Sequence, residues 1–284
     1  MRVSIGDCRL YVDVEGLGLV PDGATMTERP TLLALHGGPG FDHTSFKPDF
    51  GTLADVAQIV YVDHRGQGRS DHCTSDTWHF AQWADDVVAL CEALEIERPF
   101  VYGVSFGSMV AAHYGVRHPG HAAGLILDST AAYADLPEIV AMFQRLGGDE
   151  AAQAATEFWE APDEATMARY FQVCMPLYNR RARPDADDAM ARSLEHATFD
   201  VFTHWAFGEQ RTFDLRPELH AITSPTLVLA GTDDPITPAS GARAFVEALG
   251  PDVGSIEVFD DCGHGAWRDQ PDAAFGAIRR FLTR

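Results

Sequence analysis

Three stretches of this chain carry side chains whose types and spacing suit acyl chemistry. Ser105 sits in Gly103-Val104-Ser105-Phe106-Gly107, a G-x-S-x-G pattern between an apolar run, Phe100–Val104, and a helix-like run, Phe106–His118. A serine placed so stands on a sharp strand-to-helix turn, its Oγ projecting from the carboxyl edge of a sheet. Any side chain at 103 or 107 would crowd the neighbouring strand and helix. The following helix points its free N–H groups and positive dipole end at a reacting carbonyl. A serine hydroxyl is a weak nucleophile at neutral pH and needs a base. Of twelve histidines, His264 in Asp261-Cys262-Gly263-His264-Gly265 falls in the loop after the last strand-like run, flanked by glycines that let it swing over the sheet edge. The base needs a carboxylate to hold its tautomer and stabilise the imidazolium. Asp233 and Asp234 follow the run Thr226–Ala230. Asp234 is the expected acid, since Asp-x-x-Thr-Pro puts it at the turn entering the next helix, and Asp233 reads as a turn or capping residue. Asp128, ending the run Gly124–Asp128, is a third candidate.

A fourth stretch supplies bare backbone. His36-Gly37-Gly38-Pro39-Gly40 follows the apolar run Thr31–Leu35 directly. So many glycines are entropically costly. They are useful where an oxyanion needs two N–H donors about 3 Å away, each worth about 3–4 kcal/mol of transition-state stabilisation. Phe106, after the serine, offers one donor and Gly38 the other, with Pro39 stiffening the loop. In Asp63-His64-Arg65-Gly66-Gln67-Gly68-Arg69-Ser70, Asp63 and Arg65 are expected to pair and fix the loop. No helix follows these glycines, so they do not begin a phosphate cradle. His118 and His121 lack further ligands at sensible spacing, so no metal is expected. No cofactor motif occurs, and no cofactor is expected.

The elements that must position these residues alternate. Residues 3 to 16 suggest a β-hairpin. Strand-like runs follow at Thr31–Leu35, Gln58–Asp63, Phe100–Val104, Gly124–Asp128, Thr226–Ala230 and Ser255–Phe259, with helix-like runs at Thr77–Leu94, Phe106–His118, Ala239–Leu249 and Pro271–Leu282. Alternating β and α with fully apolar strands predicts a mostly parallel sheet flanked by helices on both faces. Residues 131–216 break the rhythm. They hold no convincing strand, several short helical patterns such as Asp149–Trp159 and Asp163–Cys174, and many aromatics, Trp205 among them. This predicts an α/β core domain, 1–130 and 217–284, with an inserted helical cap subdomain, 131–216. The chain's 284 residues suffice for such a core plus insertion. A formal net charge of −21 argues against nucleic acid and anionic lipid as partners. Five scattered cysteines with no C-x-x-C spacing, and no apolar leader, fit a cytoplasmic protein.

In order, the boxes His36-Gly37-Gly38-Pro39-Gly40, Asp63-x-Arg65-Gly66-x-Gly68-Arg69-Ser70, Gly103-Val104-Ser105-Phe106-Gly107, Gly231-x-x-Asp234-x-x-x-Pro238 and Asp261-Cys262-Gly263-His264 resemble the prolyl iminopeptidase branch of the α/β-hydrolase superfamily. The resemblance covers the chain except the cap. It implies a triad of Ser105, Asp234 and His264, and an oxyanion hole of Gly38 and Phe106. It implies removal of an N-terminal proline-like residue from a short peptide, or cleavage of a small amide or ester. Two positions depart from the family pattern: His64 stands where glutamine is usual, and Phe106 where tryptophan or tyrosine is usual. Such enzymes hold the substrate's α-ammonium with cap glutamates. Glu209 lies near the equivalent place, and Glu160 is a second candidate, with Trp205 beside them as a substrate contact. The alternatives are an esterase, lactonase or amidase acting on a small apolar metabolite, and, more remotely, a non-catalytic ligand-binding protein on the same fold.

Overall fold

The computed structural model describes all 284 residues. Ten strands form, β1 Arg2–Ser4, β2 Arg9–Glu15, β3 Leu19–Asp22, β4 Thr25–Glu28, β5 Thr31–Leu35, β6 Gln58–Val62, β7 Phe100–Val104, β8 Gly124–Asp128, β9 Thr226–Gly231 and β10 Gly254–Phe259. Eight of them make one sheet in the order β1-β2-β6-β5-β7-β8-β9-β10. The β1–β2 and β2–β6 pairs are antiparallel, and every later pair is parallel. The carboxyl ends of β5, β7, β8, β9 and β10 therefore share one edge, with Leu35 opposite Gly103 and Val104 opposite Asp128. All five chemistry-bearing loops of the sequence leave from that edge. The strands β3 and β4 form a separate hairpin that the sequence reading did not anticipate. Its residues are almost all exposed, so no apolar alternation marked it.

Helices α1 Phe80–Ala93, α2 Phe106–Arg117, α7 Ala239–Leu249, α8 Ala266–Asp269 and α9 Pro271–Leu282 flank the sheet. Two buried apolar clusters occupy its two faces, one around Trp83, Phe106 and Tyr114, the other around Phe46, Phe50 and Trp267. Each fully buried large apolar side chain contributes roughly 1.5–3 kcal/mol. Between β8 and β9 lie α3 Leu136–Glu160, α4 Glu164–Val173, α5 Ala186–Glu195 and α6 Phe199–Phe207. Helix α3 runs longer than the expected Asp149–Trp159 and bends at Gly148, whose φ of 71° interrupts it. The insertion has its own apolar cluster, including Phe143, Phe158 and Tyr170. Its two ends meet where Tyr133 bridges Asp214 and where the Leu215 N–H donates to the Ala132 carbonyl at 2.7 Å. The five cysteines are free thiols, and no helix is long and apolar enough to cross a membrane.

Candidate active site

Ser105 occupies the turn between β7 and α2 with φ 55° and ψ −123°. Such a backbone is strained for a residue with a side chain and persists only where its surroundings over-determine it. Here they do. The Ser105 N–H donates to the Asp128 carbonyl at 3.0 Å, and its own carbonyl accepts from the Ser108 hydroxyl at 2.6 Å. The glycines are required by space. A Cβ on Gly103 would lie 2.2 Å from the Gly107 carbonyl oxygen, and one on Gly107 would lie 2.2 Å from that of Leu35. Phe106 opens α2, so its N–H is a first-turn donor with no intrahelical acceptor.

The imidazole of His264 meets the carboxylate of Asp234, with Nδ1 3.0 Å from Oδ1 and 2.9 Å from Oδ2. Both side chains are buried. Asp234 also accepts from the N–H groups of Ile236 and Thr237, each at 2.9 Å, and from the Thr237 hydroxyl at 2.8 Å. A carboxylate so surrounded is acceptor-only, which assigns the proton to Nδ1 and leaves Nε2 as the basic nitrogen. Burial acts to raise the Asp234 carboxyl, but the His264 ring and the Thr237 N–H outweigh it and hold it below the ordinary range.

The loop that carries His264 is clasped rather than free to swing. The His264 N–H donates to the Tyr178 carbonyl at 2.6 Å, and its carbonyl accepts from Asn179 Nδ2 at 2.8 Å. A Cβ on Gly263 would lie 2.0 Å from that Tyr178 oxygen, so this glycine serves a close approach of the insertion. Gly265, at φ 84°, takes the left-handed conformation. Asp128 does not reach the imidazole. It accepts from the Ala266 N–H at 3.0 Å and from the Tyr102 hydroxyl at 2.8 Å, and so fixes the far end of the histidine loop. Asp233 is no simple turn residue: it pairs with Arg145 at 2.8 Å and Arg180 at 3.1 Å, both from the insertion.

The glycine-rich loop is anchored at its end. The Gly40 N–H donates to Gln67 Oε1 at 2.6 Å, and the Gly40 carbonyl accepts from the Thr198 N–H at 2.8 Å. Gly38, at φ 134°, has a conformation that side chains rarely adopt. Beside it His36 and His64 meet edge to face, and burial lowers the pKa of both. The expected Asp63–Arg65 pair is not formed. Arg65 binds Asp86 at 2.7 Å and Asp7 at 2.9 Å. Asp63 instead accepts from His43 Nδ1 at 2.6 Å and the Arg69 N–H at 2.8 Å, tying the two loops together. Their side chains point to different partners because Asp63 follows the sheet edge while Arg65 turns under α1.

Ser105, His264, Gly38 and Phe106 line one cavity of about 300 Å³, roofed by the insertion. Trp205 also lines it, its ring edge-on to Phe106 at 5.7 Å. Glu209 and Glu160 do not line it. Glu209 Oε2 accepts the Phe80 N–H at 2.8 Å, where a carboxylate complements the start of α1. Burial raises its pKa. Glu160 is exposed at the end of α3. Gln67 and Asn179 escaped the sequence reading. Gln67 lay inside the Arg-Gly-x-Gly box at a position read as spacer, and nothing near Asn179 marks it.

These features are those of one class, and residues 30–267 match the family model described as alpha/beta hydrolase fold: the chain belongs to that family. Within it, the chain is 27% identical over 273 residues to a proline iminopeptidase of Lactobacillus acidophilus, covering 90% of this chain and 91% of that one. It is also 27% identical over 279 residues to a putative carbamate hydrolase of a Caulobacter species, covering 95% and 97%. The crystal structure of a proline iminopeptidase from Mycobacterium smegmatis superposes with a TM-score of 0.78 at 24% identity, covering 100% of this chain and 97% of that one.

Proposed function

We propose that this hydrolase cleaves a small ester or amide through an acyl-enzyme, with Ser105 as nucleophile. One observation carries the reading: His264, joined at 2.9 Å to the buried Asp234, opens with Ser105 onto a single cavity that Gly38 and Phe106 also line. In this reading His264 Nε2 takes the Ser105 proton as Oγ attacks the carbonyl carbon. Asp234 holds the Nδ1–H and stabilises the imidazolium. The N–H groups of Gly38 and Phe106 receive the oxyanion. His264 then returns the proton to the leaving group, and water, deprotonated by the same imidazole, releases the acid. The insertion acts as a cap that excludes water.

The lining of the cavity bears on the substrate. Twenty of its thirty residues are hydrophobic, and none is aspartate or glutamate. A desolvated α-ammonium without a carboxylate is costly. The cavity therefore favours an ester, lactone or amide that needs no free amine. The aminopeptidase reading rests on the similarity to proline iminopeptidases. Steady-state hydrolysis of p-nitrophenyl butyrate, proline β-naphthylamide and its N-acetylated form separates the two. The proposed function predicts turnover of the ester and no preference for the free amine. Strong turnover of the proline amide, abolished by acetylation, would overturn the substrate assignment.

A further inference from the structure

Arg268 lies on α8, four residues beyond His264, and lines the same cavity as Ser105 and His264. Three other arginines near the site are neutralised. Arg69 meets Asp42 at 2.6 Å, and Arg180 meets Asp233 at 3.1 Å. Arg183, the second arginine of the cavity, meets Asp49 at 2.7 Å and Asp185 at 3.2 Å. Arg268 has no carboxylate at ion-pair distance, and its guanidinium donates to no acceptor of the protein. It rests over the Trp267 ring, 4.7 Å from the centroid. A ring face attracts the charge but leaves five N–H donors unmatched. Burial works against this cation and lowers its pKa, the charge of Arg183 adds to that, and Tyr102, Asp128 and Asp49 oppose it only through longer-range charge. The chain has 42 acidic residues against 21 basic ones. A half-buried cation left without a counter-ion in such a chain, facing the one cavity that also holds the serine, is a site waiting for an anion.

We infer that Arg268 forms a carboxylate-binding subsite, so that the ligand of this cavity is a small, apolar-bodied molecule with a free carboxylate. The planar guanidinium fork matches a carboxylate in a bidentate pair. The rest of the lining suits an apolar body, and it holds no acid to repel the anion. With the proposed hydrolase reading, on which the word substrate rests, the substrate is an ester or amide whose carboxylate lies away from the scissile bond. Arg268 selects and orients it, and takes no part in proton transfer.

The test begins with binding. Isothermal titration of the wild-type protein with 4-phenylbutyrate and with 4-phenylbutanol compares an acid with a neutral ligand of equal body. The acid should bind at least about tenfold tighter. Ser105→Ala should show the same preference, Arg268→Gln should lose it, and Arg268→Lys should keep part of it. Turnover of the p-nitrophenyl monoester of adipic acid against p-nitrophenyl hexanoate then reads the same ratio in kcat/KM. Equal affinity of wild type for acid and alcohol, or a preference unchanged in folded Arg268→Gln, would overturn the inference. Retained ester turnover in Ser105→Ala would instead break the hydrolase reading and leave the binding result standing.

Discussion

The floor and the roof of the cavity are held by different forces. The floor is backbone geometry. Gly103 and Gly107 allow contacts that a Cβ, 2.2 Å from a carbonyl oxygen, would abolish. Asp234 is fixed by four donor groups, from Ile236, Thr237 and His264, around one carboxylate. The roof is side-chain packing. Trp205 sits edge-on over Phe106, and Phe158 stacks near Phe202 at 6.1 Å. Roof joins floor through few bonds close to the chemistry: Thr198 to Gly40 at 2.8 Å, and Tyr178 and Asn179 to His264 at 2.6 and 2.8 Å. The difference assigns tasks. In the proposed reaction the floor positions the reacting groups, and the aromatic roof, together with Arg268 from α8, shapes what fits.

The two carboxylates of the floor give the largest contrast. Asp234→Asn should cost about 10⁴-fold in kcat, since an amide favours the wrong imidazole tautomer. Asp128→Asn should cost less than about tenfold, because that carboxylate holds the loop and not the ring. Ester hydrolysis at saturating substrate measures both. Equal losses would erase the distinction between the two acids.

Next in size is a backbone effect. Gly107→Ala places a Cβ against the Leu35 and His36 carbonyls and should destabilise by about 3 kcal/mol. Urea denaturation reads it, and a loss below about 0.5 kcal/mol would show that the turn has slack.

Asp128 also gives the floor a pH signature. Burial pushes its carboxyl up to about 6, above the roughly 3.9 of an unfolded aspartate. The native state then binds the proton more tightly. The stability that this proton confers is present at low pH and lost as pH rises through about 6. Between about pH 5 and pH 7.5, wild type should lose about 1.4 kcal/mol relative to Asp128→Asn. Parallel stability profiles for the two proteins would contradict this.

The roof should respond more mildly and in a different parameter. Phe171 lines the cavity from α4, only half-buried. Phe171→Ala should raise KM for an apolar ester about three- to tenfold and change kcat little. A fall in kcat with constant KM would mean that the roof takes part in the transition state.

This contrast also explains what the sequence disclosed. The geometry of the floor was legible because tight turns and close backbone approaches demand particular residue types at fixed spacing: glycines around Ser105, an aspartate before Thr237, bare backbone at Gly38. The strands were legible because parallel strands buried on both faces read as continuous apolar runs. The partners of Arg65 were not, since Asp7 and Asp86 are distant in sequence and nothing local selects them over Asp63. The bond of Glu209 was hidden for the same reason: its partner is the Phe80 N–H, 129 positions away. The clasp on His264 uses the Tyr178 carbonyl, an atom every residue has, so no composition could mark it.

The most direct test of the central claim is covalent. An alkyl fluorophosphonate reacts with an activated serine, and peptide mass spectrometry locates the adduct. One adduct is expected, on Ser105, forming at least about 10³-fold more slowly in His264→Ala. No adduct, an adduct on another residue, or labelling at an undiminished rate without His264 would contradict it.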